Sequence, residues 1–130
     1  MGSWKTFEEI EAWKKERVLA KEIYHASSVE PFSRDFELKS QIRRASGSVM
    51  DNIAAGFGRG GKGEFVQFLG FAKGSIEEVK SQLYRAMDTD SIKMQQLEGL
   101  FSVADEVGKM ICGLIKYLNS SDIRGQKHKR

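Results

Sequence analysis

Apolar residues recur through most of this chain at the three- and four-residue spacing of helices buried along one side. The clearest run is Phe65, Phe68, Leu69, Ala72, Ile76, Val79, Leu83, Ala86 and Met87. Projected at about 100° per residue, these fall in one arc, which predicts a helix with a continuous core seam. A second seam joins Leu38, Ile42, Ala45, Val49, Ile53 and Gly56, with Gln41, Arg44, Ser48 and Ala55 opposite and Asn52 at the margin. A weakly polar stripe of Gly47, Met50, Ala54 and Phe57, bordered by Arg43, lies between those two sides. A third seam runs through Leu97, Leu100, Ala104, Val107, Ile111, Ile115 and Leu118, and Val103, Met110 and Leu114 widen it towards Tyr117. Near the start, Ile10, Trp13, Ala20 and Tyr24 form one side of a helix, broadened by Ala12, Leu19 and Ile23. Trp13 and Tyr24 read as buried aromatics rather than a base-stacking platform.

The residues between the seams are those that start and stop helices. Thr6 followed by Glu9 is a capping box for the first helix, which should run to about Ala26. Pro31, the only proline, holds Glu30 extended and prevents a helix there. Ser33 or Asp35 can cap the second helix, which is expected to end near Ala55, with Gly56, Gly58, Gly60, Gly61 and Gly63 terminating it. Asp90 or Ser91 should cap a fourth helix from about Lys93 to Leu118. Four helices with short connections predict an all-α, antiparallel up-down-up-down four-helix bundle over residues 6–118. Residues 1–5 would be a flexible N-terminus and residues 119–130 a flexible basic C-terminal tail.

Charge changes this picture only locally. The formal net charge is +3, but four of the 21 basic residues follow Ile123, which leaves 17 against 18 acidic ones before it. The body is therefore not a general polycation, and any attraction for nucleic acid must come from a patch or from the tail. Cys112 is the single cysteine, which fits a reducing cytoplasm and inert packing. No apolar run approaches the roughly 18 residues of a membrane span, and no secretory leader is evident, so a cytoplasmic location is expected.

Candidate chemistry is sparse. Gly56 to Lys62 satisfies G-x-x-x-x-G-K, but Gly63 follows where a P-loop needs a hydroxyl, and a helix precedes it where a strand is needed. His25 and His128 have no third ligand nearby, and Glu77-Glu78 and Asp105-Glu106 lack the Glu-x-x-His pairing of bundle metal sites. No catalytic residue, metal ligand or cofactor is assigned, and no enzymatic role is expected. Arg43, Arg44, Arg59 and Lys62 are the candidate phosphate contacts, in two patches roughly 20 Å apart along the second helix. A solvated charged face or a clamp for protein carboxylates remains open for the same residues. The apolar positions left over from the seams, Met50, Phe57, Val103, Met110 and Leu114, are candidates for a homo-oligomer interface.

The run Gln41-Ile42-Arg43-Arg44-Ala45, Ser48, Asn52-Ile53-Ala54 and Gly56-Phe57-Gly58-Arg59 resembles the bacterial four-helix-bundle family called 23S rRNA intervening-sequence or S23 proteins. Glu64-Phe65, Phe68-Leu69, Ala72, Gly74-Ser75 and Glu78 extend the likeness, which covers roughly residues 6–118. The resemblance implies an up-down bundle assembling into a pentamer. It is also distantly similar to accessory proteins of diversity-generating retroelements, which implies RNA or DNA and a reverse transcriptase as partners. Where the family commonly carries Glu, this chain has Ala55, which on the helical projection shares the side of Arg44 and Ser48. A non-enzymatic oligomeric bundle associated with nucleic acid, RNA first, is the leading expectation. The alternative is an oligomeric protein–protein adaptor or scaffold that does not touch nucleic acid.

Overall fold

The computed structural model describes the backbone of residues 4–128 and the side chains of residues 4–120. Its four helices are α1 (Glu11–Ser27), α2 (Phe36–Gly58), α3 (Lys62–Asp88) and α4 (Met94–His128). Consecutive helices pack side by side and α1 closes the ring against α4, giving the up-down-up-down bundle. Among the described residues no helix is long and apolar enough to cross a membrane.

The core follows the seams. Phe65, Leu69, Ala72, Ile76, Val79, Leu83 and Ala86 of α3 are fully buried, as are Ile42, Val49 and Ile53 of α2 and Ala104, Val107 and Ile111 of α4. Each buried Leu, Ile or Phe contributes about 1.5–3 kcal/mol of transfer free energy. The inner face of α1, however, is Ala12, Glu16, Leu19, Ile23 and Ser27. Trp13 is only half-buried and Tyr24 is 55% exposed, contrary to the sequence expectation. The true face is hidden in the sequence because a carboxylate sits in its middle.

Helix ends differ from expectation for local reasons. Glu9 does accept from the Thr6 N–H, but it also accepts from Lys5, and the pair caps only a 3-10 turn over Phe7–Glu9. Ile10 is extended there so that its side chain enters the core, and α1 begins one residue later. Phe32 is buried by a second 3-10 turn, Phe32–Arg34, after which Asp35 caps α2 by accepting from the Leu38 N–H. Gly56 does not terminate α2. It lies inside the helix, where an added Cβ would come within 2.5 Å of the Phe68 Cβ, so it allows α2 and α3 to approach closely. Gly60, at φ +82°, makes the turn that ends the helix.

Asp90, at φ 62°, closes the end of α3 and does not cap α4. Before α4, the Lys93 N–H donates to Gln96 Oε1. The backbone of α4 continues through His128, past the last seam residue Leu118. Residues 129–130 lie outside the described residues. At the other end Trp4 meets Phe65 and Tyr117 edge to face, with ring centroids 6.5 and 6.2 Å away; residues 1–3 lie outside the described residues.

Candidate nucleic-acid interface

Four basic side chains were expected to meet phosphate, and the structure separates their roles. Arg43 is taken up by the end of α1. Its guanidinium donates to Ser27 Oγ at 2.8 Å, Ser28 Oγ at 2.9 Å and the Tyr24 carbonyl at 3.2 Å, and lies 4.0 Å from the centre of the Tyr24 ring. The last carbonyls of a helix lack partners and carry partial negative charge, so a cation fits there for structural reasons. Arg44 is exposed and, among the described residues, donates to Ser40 Oγ at 3.0 Å.

Arg59 follows the last residue of α2, and its guanidinium stands 5.1 Å from the centre of the Phe68 ring. Phe68 meets Phe71 edge to face at 5.6 Å, and Phe71 is 52% exposed. Lys62 opens α3 beside this corner and is half-buried. The two expected patches are thus distinct, about 22 Å apart along α2 at 1.5 Å per residue. The same rise puts residue 55 about 16 Å from Arg44, so a glutamate at Ala55 would share its side of the helix without sitting beside it.

A stronger basic site lies between α3 and α4. Lys73 and Lys80 from α3 and Lys109 and Lys116 from α4 line a groove of about 320 Å³. Its wall includes Asp105 and Cys112, and Gly108 and Gly113 add no side chains to it. The lysines of each helix are seven residues apart, about 10.5 Å along the axis. Two carboxylates organise them. Glu77 bonds Lys73 at 2.6 Å and Lys80 at 3.2 Å, and Asp105 bonds Lys80 at 2.9 Å and Lys109 at 3.3 Å. Lys116 has no ion pair among the described residues.

The hydrogen bond from Lys73 holds the Glu77 carboxyl below its ordinary pKa, with Lys80 adding to it. That from Lys80 does the same for Asp105, with help from Lys109. Partial burial works against the charge on Lys80, but the bonds to Asp105 and Glu77 outweigh it and raise its pKa. Four lysines thus stand against two carboxylates, an excess of two basic side chains. Nothing in either helix alone marks this site. Each lysine pair reads as part of a solvated face, and only the antiparallel contact of α3 with α4 brings the pairs together.

The expected interface residues are less available than the sequence suggested. Met50, Phe57, Val103, Met110 and Leu114 are all half-buried. Phe57, Val103, Met110 and Leu114 already pack against the core, Phe57 edge-on to Phe65 at 5.8 Å. The large apolar side chains that do face solvent include Val18, Phe36, Phe71, Tyr84, Met94 and Tyr117. Tyr84, Met87, Met94, Leu97 and Phe101 line a largely apolar hollow of about 360 Å³ near the turn between α3 and α4.

The family model described as 23S rRNA-intervening sequence protein matches residues 8–113. The chain belongs to this family. The matched region holds Arg43, Arg44, Arg59, Lys62 and three of the groove lysines, while Lys116 falls just beyond it. A crystal structure from Bacteroides thetaiotaomicron, of a protein described as having unknown function and belonging to the S23 ribosomal protein family, shares the fold. It superposes with a TM-score of 0.74 at 23% identity, covering 81% of this chain and 98% of that one. No curated protein matches the chain.

Proposed function

We propose that this family member is a non-enzymatic bundle that assembles with itself in the cytoplasm and holds nucleic acid, RNA first, on the groove between α3 and α4. The observation that carries this reading is the convergence of Lys73, Lys80, Lys109 and Lys116 on one groove, where among the described residues Glu77 and Asp105 bond them. Lysines in such a row attract phosphates without reading bases, which suits a partner recognised by shape and charge. Arg59, with Phe68 and the exposed Phe71, supplies a second contact where a cation and a ring lie together. The family's description ties it to 23S rRNA intervening sequences, which makes structured RNA the polyanion to try first. Assembly into a ring, with five subunits as the resemblance implies, would repeat the groove around an axis.

The test is affinity for a structured RNA and a matched duplex DNA against salt concentration. Wild type, Lys109→Glu/Lys116→Glu and Arg59→Ala/Lys62→Ala are compared, with light scattering on each. Charge reversal in the groove is expected to abolish binding at moderate salt, and the Arg59 pair to weaken it by about tenfold. Equal binding by the groove variant and wild type would refute the reading, and a monomer at micromolar concentration would remove its self-assembly. The adaptor alternative draws support from the apolar hollow at Tyr84, Met94 and Phe101. It takes over if the wild type fails to hold RNA even at low salt.

A further inference from the structure

On the opposite side of α3, towards α2, lies a groove of different chemistry and about 270 Å³. Arg44 stands on its α2 wall and Glu78 on its α3 wall, and no ion pair joins them among the described residues. Ala45 keeps the hollow open by being small, and Ser75 Oγ, 3.0 Å from Ser48 Oγ, lines it with a hydroxyl pair. Towards the other end of the groove, Arg85 donates to Gln41 Oε1 at 2.9 Å. The inner wall includes Gln82, only 8% exposed, whose Oε1 is buried without a hydrogen bond. No bond to its Nε2 is found among the described residues either. Its carbonyl oxygen is thus a buried acceptor without a partner, which costs about 1–3 kcal/mol, so it is poised for a donor that is not part of the bundle.

We propose that this groove binds a small zwitterion of the α-amino-acid class. The oxyanion of the ligand lies against the Arg44 guanidinium and its ammonium against the Glu78 carboxylate, with Gln82 Oε1 accepting a further hydrogen bond from that ammonium. Charge balance selects this class. A simple anion meets Arg44 but is repelled by Glu78, a simple cation meets the reverse, and a zwitterion satisfies both. Size and lining select against the nearest rival, a nucleotide. The hollow is smaller than the roughly 300–1,000 Å³ of sites for drug-sized ligands, and no aromatic ring lines it to stack a base. The site is separate from the lysine groove and does not depend on nucleic-acid binding.

The experiment is calorimetric titration of the full chain with the standard α-amino acids, read alongside the side-chain amide resonance of Gln82. Propionate and butylamine serve as single-charge controls, and cytidine monophosphate as the nucleotide. At least one amino acid is expected to saturate the groove at low-millimolar concentration or below and to shift the Gln82 signal. Propionate and butylamine should each bind at least about tenfold more weakly, as should the amino acid to Arg44→Ala and to Glu78→Gln. Both variants alter exposed positions, and the wild-type comparison with the controls decides the matter even if either misfolds. Saturation by no amino acid, equal binding of propionate, retained affinity in both variants, or selective saturation by the nucleotide would each overturn the proposal.

Discussion

Between α1 and α2 a carboxylate is sealed from water, whereas between α3 and α4 charges meet within reach of it. Glu16 is fully buried, with Ser46 Oγ donating to its Oε2 at 2.7 Å and no partner for its Oε1. Burial pushes its pKa up to about 8, against which the Ser46 bond pulls only weakly. Asp105 and Glu77, by contrast, are partly exposed, bonded by lysines and pulled down. The same residue class is neutral in one seam and ionised in the other. The difference teaches that charge in this bundle follows from which groups stand within reach: a hydroxyl of α2 opposite Glu16, the Lys80 ammonium of α3 opposite Asp105, and Lys73 and Lys80 of its own helix beside Glu77.

The widest gap between the two regions should appear in the pH dependence of stability. An unfolded Glu16 loses its proton above about pH 4.5, while the folded one keeps it to about pH 8. Between those values the unfolded state binds fewer protons, so stability falls as pH rises. From pH 5 to 7.5 the loss from this group is about 3 kcal/mol, at roughly 1.4 kcal/mol per pH unit. Glu77, Asp105 and Glu9, whose pKa values are lowered, act in the opposite sense and lose their contribution as pH drops through the acid range. Urea unfolding at several pH values checks this, and Glu16→Gln should flatten the slope above pH 5. A wild type whose stability is level from pH 5 to 7.5 would remove the contrast.

Next in size is the hydroxyl opposite Glu16. Ser46→Ala leaves the buried carboxyl with no hydrogen bond and should cost about 2 kcal/mol. Glu16→Gln combined with Ser46→Ala should cost less than the sum of the two, because the pair acts together. Arg43→Ala comes after it, at about 1 kcal/mol, since it removes exposed bonds to the end of α1 and the stacking on Tyr24. Its RNA affinity should stay within about twofold of wild type, because those bonds already occupy the guanidinium. A large loss of affinity with normal stability would return Arg43 to the phosphate-binding set.

The helical seams of α3 and α4 are legible in the sequence because burial of apolar residues repeats with the helix period, and nothing in those seams competes with it. The inner face of α1 is not, because Glu16 interrupts the apolar pattern while Trp13 and Tyr24 mimic one from the outer side. Gly56 reads as a terminator because close approach of Phe68 from another helix leaves no mark in its own neighbourhood. The lysine groove is hidden for a related reason. Lys73 and Lys80 say nothing about Lys109 and Lys116 until α3 and α4 are set side by side, whereas Arg59 and Lys62 stand out by sitting in a glycine-rich turn.

The smallest effects on stability should mark the side chains that matter most for binding. Lys80 has a side chain 15% exposed, bonds both Glu77 and Asp105, and stands 5.6 Å from the centre of the Phe101 ring. Lys80→Ala should therefore cost about 1 kcal/mol of stability, because it leaves two carboxylates close to one another and strips packing from α4. Lys109 is 80% exposed and holds a single bond to Asp105, and Lys116 has no ion pair among the described residues. The Lys109→Ala/Lys116→Ala double variant should stay within about 0.5 kcal/mol of wild type, the usual range for exposed charges. Its binding should respond quite differently. Removing two ammonium–phosphate pairs would reduce the slope of log affinity against log salt by about 1.8 on a duplex, or about 1.4 on a single strand. Lys80→Ala, whose ammonium already faces inward to carboxylates, should change that slope by less than about 0.5. Measured together, the two variants separate the lysine that builds the groove from those that would use it. If Lys80→Ala flattens the salt dependence and the outer pair does not, the phosphates lie deeper than proposed, against Glu77 and Asp105, and the groove would have to open to admit them.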